Sequence, residues 1–412
     1  MLDRSLTPRP PWAGRRVVLA VTGGIAAYKA VQLARDLTRL GSLVDTILTR
    51  AAEAFVTPLI FKGVTGREAH TNLLSVEGTA LHIKLGVEAD VVVVAPATAD
   101  LIARAAQGHA SDLLTAVLLS TRSPVVMAPA MNDRMYSHPQ TKINLDHCRE
   151  VLGYEIAGPA TGPLAVGEGD GPGRMLEPDQ ICEYVGRAIG VDSAFEGRNV
   201  LVTAGPTREP IDPVRFIANR SSGRMGFALA REAWLRGANV TLVTGPSTLL
   251  VPVGVSTRSV ETATEMLEEV REAIPNADFL FFSAAVSDFR PRHLRDEKIK
   301  RTDVSDGLAL DFVENPDIAL ETRRLRQANA VAIGFALETE DLRAGAAKKL
   351  KDKDFDLVVA NDPREEGAGF DVPTNLVTLL WKGGQEESLP LQSKENLARE
   401  IFDRVRSWTP EG

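Results

Sequence analysis

Long apolar runs alternate with helical stretches along the whole chain. In the first half, residues 16–22, 43–49, 89–96 and 124–129 are strand-like, and residues 25–40 have the periodicity of a helix. In the second half, the strand-like runs are 199–203, 239–244, 277–285, 330–335 and 357–360. Continuous β-branched runs separated by helices are typical of parallel sheets with helices on both faces. The pattern therefore predicts the α/β class, with one doubly wound, Rossmann-like three-layer domain in each half.

The same pattern places one domain boundary. Residues 190–198 are polar and contain glycine, and the strand pattern begins again directly after them. We therefore expect domains over 1–190 and 191–412, each long enough to bury a core. Residues 375–381 are predicted to form part of an antiparallel hairpin at the edge of the second sheet.

Composition and charge exclude several kinds of partner. The formal net charge is −8, which argues against a broad nucleic-acid surface. The two cysteines, Cys148 and Cys182, form neither a metal-binding spacing nor a disulfide framework, which fits a reducing compartment. Residues 1–14 lack the apolar core of a signal peptide, and no apolar run is long enough to span a bilayer. We expect a cytoplasmic protein that binds neither nucleic acid nor membrane.

Small and hydroxyl-bearing residues follow three of the predicted strands in the first half. The turn after the first strand opens a helix and contains two glycines, which let backbone N–H groups approach an anion closely. A tight turn between strand and helix explains that segment equally well, but three such strand ends should meet at one edge of the sheet, where ligands bind. The candidate binding residues are Thr22, Gly23, Gly24, Ile25, Ala26, Thr49, Pro96, Ala97 and Thr98.

Three further features of the first half have ordinary structural explanations. His82 taken alone is more typical of a surface histidine than of a catalytic one. Asn132 follows the fourth strand, where asparagine commonly caps a helix. Residues 162–175 are dense in glycine, and a loop of this kind often forms a mobile flap.

The second half contains an unusually long connection between a strand and a helix. Residues 203–226 contain Gly, Pro, Asn and Ser together with Arg208, Arg215, Arg220 and Arg224. A helix N-terminus favours anions, and most such connections take about two to six residues, so we expect this loop to bind a phosphate. Other candidates are Asp288 at a strand end, Phe335 at another, and the lysines of 348–353. A turn, core packing and a solvated helix face are the structural alternatives for these three.

The motifs together resemble known enzyme families. The first half resembles the flavin-dependent decarboxylases of 4′-phosphopantothenoylcysteine, through Thr-Gly-Gly-Ile-Ala-Ala at 22–27, His-Ile-Lys-Leu at 82–85, Pro-Ala-Thr at 96–98, Pro-Ala-Met-Asn at 129–132 and Gly-Pro-Gly-Arg-Met at 171–175. The second half resembles the CTP-dependent phosphopantothenate–cysteine ligases, through Asp-Pro-Val-Arg at 212–215 and Asn-Arg-Ser-Ser-Gly at 219–223. Nearly the whole chain is thus similar to the bifunctional family of coenzyme A biosynthesis.

For the first half, the resemblance implies a flavodoxin-like domain that binds FMN at the strand-end residues given above. Hydride transfer from the substrate's cysteine to the flavin gives a thioaldehyde, which loses CO₂ because the thiocarbonyl delocalises the carbanion. Reduced flavin then converts the resulting enethiol to the thiol of 4′-phosphopantetheine. His82 matches the catalytic histidine and Asn132 the asparagine that holds the substrate carboxylate. The substrate flap corresponds to Val166, Gly173, Arg174 and Met175.

For the second half, the resemblance implies ligation of cysteine to 4′-phosphopantothenate through an acyl-cytidylate. Lys298 matches the lysine that supports acyl-cytidylate formation, and Asn219 the asparagine that polarises its carbonyl. Mg²⁺ is expected to be carried mainly by the CTP phosphates, and no metal ligand can be assigned. The CTP-binding positions are Ser283, Ala284, Ala285, Asp288, Lys298, Pro316, Asp317, Ile318, Ala319, Phe335, Lys349 and Lys353. The resemblance also implies a homo-oligomer of trimeric flavin domains and dimeric ligase domains, which a dodecamer would satisfy.

One position departs from the family pattern. The flap of the decarboxylases carries a cysteine that donates a proton in the final reduction, whereas this chain has Val166. Glu168, Asp170 or water could replace it; the reaction could stop at the enethiol; or the domain could be an inactive flavin binder. We favour a working decarboxylase with a substitute donor.

Three other functions compete with the two-activity enzyme. The first is a ligase whose flavin domain is only structural. The second is a nicotinamide-dependent reductase, which the missing GxGxxG and the proline-rich loop after Gly205 disfavour. The third is a scaffold protein, which so many polar residues at strand ends make the weakest interpretation.

Overall fold

The computed structural model describes residues 7–74, 80–163, 169–300, 309–337, 342–361, 364 and 372–408. The chain divides into two compact units, Met1–Val191 and Asp192–Gly412. Among the described residues, no helix combines the length and the apolar character that crossing a bilayer needs.

The first unit is built on a parallel sheet. Its strands are β1 (Arg16–Val21), β2 (Leu43–Leu48), β3 (Ala69–His70), β4 (Val91–Ala97), β5 (Val125–Pro129) and β6 (Glu155–Ile156). They lie in the order β3-β2-β1-β4-β5-β6 and all pair in parallel. Without the two-residue β3, this is the flavodoxin-like order. A separate antiparallel hairpin consists of β7 (Ala160–Pro163) and β8 (Asp170–Arg174).

Helices cover both faces of this sheet. They are α1 (Ala27–Arg39), α2 (Pro58–Thr65), α3 (Leu81–Glu88), α4 (Ala99–Ala106), α5 (Leu113–Ser120), α6 (Asp133–Ser137), α7 (Pro139–Glu150) and α8 (Pro178–Gly190). Alternate residues of the central strands, such as Val18 and Val92, pack with side chains of α3, α4, α5 and α7 in one buried cluster. Helices α1 and α8 pack against each other and against β4. The unit is therefore a three-layer α/β domain, as predicted.

The second unit contains a larger sheet and two small hairpins. Its strands are β9 (Asn199–Ala204), β10 (Arg208–Pro210), β11 (Phe216–Ala218), β12 (Asn239–Thr244), β13 (Ser256–Ser259), β14 (Phe279–Phe282), β15 (Phe289–Pro291), β16 (Phe312–Glu314), β17 (Val331–Leu337), β18 (Leu357–Asn361), β19 (Thr374–Trp381) and β20 (Glu386–Ser393). The main sheet has the order β13-β12-β9-β14-β17-β18-β19-β20. Strands β19 and β20 pair antiparallel at one edge, which confirms the predicted hairpin.

The helices of the second unit are α9 (Arg224–Leu235), α10 (Ala263–Ala273), α11 (Ile318–Glu321), α12 (Leu342–Asp352) and α13 (Lys394–Val405). Helices α10, α11 and α12 contribute to a buried cluster with the central strands. Helices α9 and α13 pack together, α9 against β9 and β12, and α13 against β19 and β20. The six parallel strands have the Rossmann order, with a reversal between β9 and β14.

Several segments of the second unit differ from the predicted pattern, which did not include strands β13, β15 and β16. The predicted strand 277–285 is regular only over Phe279–Phe282, because the backbone amides that follow bond to threonine side chains and to the loop after β9. The amide of Ala284 donates to Thr203 Oγ1 at 3.2 Å, and that of Ser287 donates to Thr207 Oγ1 at 3.0 Å. The long connection 203–226 contains the antiparallel hairpin β10–β11, which its scattered apolar residues did not predict.

Candidate functional site

Thr22 joins the two strands on either side of the reversal in the first sheet. Its hydroxyl donates to the carbonyl of Pro96 at 2.7 Å and accepts from the amide of Thr98 at 3.3 Å. Thr98 in turn caps helix α4 by accepting from the amide of Leu101. The structure therefore brings the predicted 22–26 and 96–98 segments together at the carboxyl edge, where ligands of such sheets bind.

The turn between β1 and α1 is held close to the end of β2. A Cβ on Gly23 would lie 2.4 Å from the Cβ of Ala51, so no larger residue fits there. Thr49 lies beside it, with its amide donating to the carbonyl of Val21 at 3.1 Å. Helix α1 has neither a side-chain cap nor an acidic residue in its first turn. The residues of this turn are small, so a ligand can come close to the N-terminus of α1, whose N–H groups have no side-chain cap. Such a helix end favours an anionic group.

Asn132 and the flap are connected to this edge through the backbone. The amide of Ala130 donates to the carbonyl of Ala97, and that of Met131 donates to the carbonyl of Gly173, both at 3.0 Å. Asn132 caps helix α6 by accepting at Oδ1 from the amide of Arg134 at 3.0 Å, as the sequence pattern suggested. The strand β8 therefore packs directly against the segment that carries Asn132.

Two residues that the sequence did not single out hold the base of the flap. Lys29, which is buried in α1, donates to the carbonyl of Met175 at 3.1 Å and to Glu177 Oε1 at 2.8 Å. Glu177 also accepts from the Arg174 guanidinium at 2.6 Å. Burial alone would raise the pKa of Glu177, but the bonds and charges of Lys29 and Arg174 outweigh it and hold that pKa below its usual range. Met175 itself is buried and anchors the flap to the core.

His82 lies on a helix and not at one of the strand ends that carry Thr22, Thr49 and Thr98. It is in the first turn of α3, where its carbonyl accepts from the hydroxyl of Ser120 at 3.3 Å. Its Nδ1 is buried and has no hydrogen-bond partner in the part of the chain that the structure describes. A buried ring nitrogen without a partner is costly in a folded chain, which makes it a candidate for contact with a ligand.

The flap tip itself, with Val166 and Glu168, lies outside the described residues. Neither cysteine of the chain is placed to act in the family cysteine's role. Cys148 is buried in the core, where burial raises the pKa of its thiol to about 11. Cys182 is buried in α8, and burial likewise raises its pKa well above the usual value. Buried thiols with raised pKa values are inert.

The second unit has a cavity of about 870 Å³ at the reversal between β9 and β14. Most residues predicted for the ligase line it. They are Asn219, Ser283, Ala284, Ala285, Asp288, Pro316, Asp317, Ile318, Ala319, Phe335, Lys349 and Lys353. Arg220 and Arg224 also line the cavity, whereas Arg215 bonds to the carbonyl of Ile299 and Arg208 lies 4.6 Å from the ring centroid of Phe216.

Hydrogen bonds between strand ends shape this cavity. The Ser283 hydroxyl donates to the carbonyl of Thr203 at 2.6 Å. The side-chain amide of Asn219 donates to the carbonyl of Val286 at 2.9 Å, which places Asn219 over the 283–288 segment. Across the cavity, the amide of Asn315 donates to the carbonyl of Asp288 at 2.8 Å. Three segments that are distant in sequence thus meet around one space.

Asp317 has two roles on the far wall. Its Oδ1 accepts from the amide of Leu320 at 3.1 Å and so caps α11. Its Oδ2 forms an ion pair with Lys353 Nζ at 2.8 Å. The i,i+4 pair Lys349 and Lys353 on α12 and the following turn therefore faces the cavity, rather than forming only a solvated surface.

Lys298 is the one residue predicted to bind CTP that does not line the cavity. Its side chain is exposed, and its neighbour Ile299 donates to Asp212 Oδ2 at 3.2 Å. Asp212 is fully buried and also accepts from the amides of Val214 and Arg215 at 2.8 and 2.9 Å. Burial would raise the pKa of Asp212, but these N–H groups and the Arg215 charge hold it below its usual range. The segment that carries Lys298 is therefore fastened to the turn between β10 and β11.

The sequence missed several polar residues of the cavity, among them three beside the edge hairpin. Asn361 ends β18, Asn375 lies in β19, and Lys394 begins α13, and each lines the cavity. Lys394 donates to the carbonyl of Val372 at 2.8 Å. For Asn361 and Asn375 the one available signal was their position at the ends of predicted elements, whereas Lys394 lies in no predicted element. The described residues contain no group of three or more His, Cys, Asp or Glu side chains arranged to ligate a metal ion.

Comparison with known proteins covers both units. Residues 8–190 match the family described as Flavoprotein, and residues 195–408 match the DNA/pantothenate metabolism flavoprotein C-terminal domain. The coenzyme A biosynthesis bifunctional protein CoaBC of Vibrio vulnificus (strain YJ016) is 44% identical over 96% of this chain and 98% of that protein. The CoaBC protein of Escherichia coli (strain K12) is 42% identical over 95% of this chain and 97% of that protein. Among solved structures, the C-terminal domain of a CoaBC protein covers 52% of this chain and 97% of that domain at 38% identity, with a TM-score of 0.45.

The contact between β8 and the Asn132 segment can be tested at Gly173. A Cβ there would lie 2.3 Å from the carbonyl oxygen of Met131, and φ is +135°. We expect Gly173→Ala to break the bond from the Met131 amide and to raise hydrogen exchange in that peptide, as measured by mass spectrometry. Gly169→Ala is the matched control, because Gly169 has φ of +79° but open space around its Cβ position. Equal exchange in the two variants would contradict the contact.

Proposed function

This chain belongs to the coenzyme A biosynthesis bifunctional proteins, and on that premise we propose that it catalyses two consecutive steps of coenzyme A synthesis. The second unit ligates cysteine to 4′-phosphopantothenate at the expense of CTP. The first unit then decarboxylates 4′-phosphopantothenoylcysteine to 4′-phosphopantetheine. The full-length match to two-activity proteins favours this function over a ligase with a merely structural flavin domain.

The observation that carries the ligase function is the cavity at the β9–β14 reversal. Its wall combines the end of α12, with Lys349 and Lys353, and the loop with Arg220 and Arg224. Forming an acyl-cytidylate gathers negative charge on phosphates, and lysines and arginines stabilise such charge. Mg²⁺ arrives with the triphosphate, and no residue of this chain is assigned to it. The choice of CTP over ATP rests on the family.

Asn219 is proposed to polarise the acyl-cytidylate carbonyl. An asparagine amide has two N–H donors, and one is used in the bond to Val286. That bond fixes the amide plane, so the second donor can point at a carbonyl oxygen whose negative charge grows as cysteine attacks. A donor that is already oriented stabilises such charge without reorganisation. Lys298 is proposed to act on the preceding step, the formation of the acyl-cytidylate.

The decarboxylase function needs FMN, and the carboxyl edge of the first sheet fits its anionic and polar groups. The uncapped N-terminus of α1 suits a phosphate, and the Thr98 hydroxyl, which accepts a bond in the cap of α4, keeps a proton that it can donate. When bound, the flavin supplies the redox chemistry, as hydride acceptor and donor.

The proposed roles of the nearby side chains follow from their bonds. Asn132 uses Oδ1 in the helix cap, which leaves its amide N–H groups as donors to the substrate carboxylate. His82 is proposed as the catalytic histidine, since its buried Nδ1 bonds to no group within the described part of the chain. Arg174 is held by Glu177 at the base of the flap that covers the substrate.

The final proton cannot come from the flap position of the family cysteine, where this chain has Val166. Cys148 and Cys182 are both buried and have raised pKa values, so they do not replace it. We propose a donor other than cysteine, namely Glu168, Asp170 or water.

A cytoplasmic homo-oligomer completes the proposal. Large apolar side chains are exposed beside the proposed flavin turn: Ile25, Tyr28, Phe55 and Leu59. Exposed apolar groups of this size are typical of protein contacts. They support subunit packing of the flavin units, for which the family implies trimers, with dimers of the ligase units.

Asn219→Ala separates the two ligase steps. With phosphopantothenate, CTP and Mg²⁺, we expect the variant to release pyrophosphate as the wild type does. When cysteine is added, adduct formation should fall by about 10²–10³-fold, the usual effect of losing one such donor. Asn239→Ala, on β12 and outside the cavity, is the control and should leave both steps unchanged. Equal loss of both steps in Asn219→Ala would refute this role, and no pyrophosphate from the wild type would refute the ligase.

Thr22→Val tests the flavin site. Valine keeps the shape of threonine but loses the bonds to Pro96 and Thr98. The lost hydrogen bonding corresponds to roughly 1–1.5 kcal/mol of binding free energy, so the affinity for FMN should fall about tenfold. The measurement is quenching of FMN fluorescence on titration with apoprotein. Thr38→Val, at the other end of α1, removes a comparable hydroxyl bond and should bind FMN normally. A wild-type protein that neither retains nor rebinds FMN would sink the flavin assignment.

A further inference from the structure

Arg326 lies behind the wall of the ligase cavity. It follows the short turn after α11 and precedes β17, and it does not itself line the cavity. Its guanidinium nevertheless touches several residues that do. A residue in that place can act on a bound nucleotide only through its neighbours.

Three backbone carbonyls accept hydrogen bonds from this guanidinium. Nη1 donates to the carbonyls of Lys353 and Asp354 at 3.1 and 2.9 Å, and Nη2 donates to the carbonyl of Ala319 at 2.9 Å. The first two carbonyls follow the end of α12, and the third lies in α11. One planar group therefore fastens α11 to the end of α12, and its fixed fork of donors suits such a task.

Two aromatic rings of the cavity wall pack on the same guanidinium. Its central carbon is 5.3 Å from the ring centroid of Phe282 and 5.4 Å from that of Phe355. The two rings are 5.6 Å apart. Cations at these distances attract aromatic faces. Arg326 thus contacts Phe282, Ala319, Lys353 and Phe355, all of which line the cavity.

The cation persists at neutral pH despite its surroundings. Burial lowers the pKa of Arg326 to about 10, partly offset by the charges of Asp354 and Asp356. On the cavity side of the contact between α11 and the end of α12, Asp317 forms an ion pair with Lys353. The two segments are therefore joined by Arg326 behind the cavity wall and by this ion pair in front of it.

We propose that Arg326 is a positioning residue of the nucleotide pocket, which sets the spacing between the Asp317–Ala319 turn and Lys353. The proposal rests on the proposed ligase function and deepens it. Replacement of the guanidinium should weaken the binding of CTP but not that of the other substrates. The residues that Arg326 holds are proposed to contact CTP, and none of them is proposed to contact the phosphate of phosphopantothenate.

The test compares Arg326→Lys and Arg326→Met with the wild type. Lysine keeps the charge but cannot bond all three carbonyls in one plane. We expect the Kd and KM for CTP to rise about tenfold in Arg326→Lys, which corresponds to about one lost hydrogen bond. The KM values for cysteine and phosphopantothenate, and kcat, should change less than about twofold. Arg324→Lys, in the same turn but exposed, is the matched control and should behave as the wild type.

A double-mutant cycle supplies the second readout. If Arg326 acts through Lys353, the effect of Arg326→Lys on CTP affinity should largely vanish in a Lys353→Met background. The proposal would be overturned if the effects of Arg326→Lys and Lys353→Met on CTP affinity simply add. It would also be overturned if Arg326→Lys leaves CTP affinity unchanged or raises all three KM values equally. Should Arg326→Met fail to fold, Arg326→Lys and the cycle still decide it. Failure of the wild type to bind CTP would instead refute the ligase function.

Discussion

A threonine at the carboxyl end of the first strand spans the reversal of strand order in each unit. In the first unit, the hydroxyl of Thr22 bonds to Pro96 and Thr98 at the end of β4. In the second, the carbonyl and hydroxyl of Thr203 bond to Ser283 and Ala284 after β14. Strands on the two sides of a reversal have connections that run in opposite directions, which opens a crevice. The threonine fixes the crevice width while keeping polar groups at its floor.

Both proposed sites depend on that constraint. In the first unit, Ala97 lies next to Pro96, which Thr22 holds in place. The amide of Ala130 bonds to Ala97, and the amide of Met131 bonds to Gly173, so the positions of Asn132 and β8 depend on this strand end. In the second, the backbone leaves the sheet after Phe282, so that residues 283–288 line a cavity instead of continuing a strand. The early end of β14 is therefore part of the site. The segments that surround the two strand ends differ: the Asn132 segment and β8 in the first unit, and residues 283–288, α11 and the end of α12 in the second. We propose that this difference makes one a flavin site and the other a nucleotide site.

The sequence predicted the long central strands because buried parallel strands leave continuous apolar runs, as in 91–97 and 199–204, but it missed the short edge strands β3, β6 and β13. The strand-end pattern singled out Asp288 and Phe335 in the second unit, whereas most of the other cavity residues were assigned through the resemblance to the ligase family. The sequence could not place the hairpin within 203–226, which depends on pairing inside that loop, or the early end of β14, which depends on bonds to Thr203 and Thr207. Lys29, Glu177 and Arg326 escaped for the same reason. Their partners are backbone carbonyls and side chains that no local pattern reveals.

One chain is proposed to carry out both reactions in sequence. The decisive experiment is mass analysis of the FMN-loaded protein mixed with phosphopantothenate, cysteine, CTP and Mg²⁺. We expect 4′-phosphopantetheine to accumulate, with release of CO₂ and pyrophosphate. Accumulated 4′-phosphopantothenoylcysteine would contradict the decarboxylase, and accumulated enethiol would mean that Val166 has removed the last reduction. Unconsumed CTP would contradict the ligase.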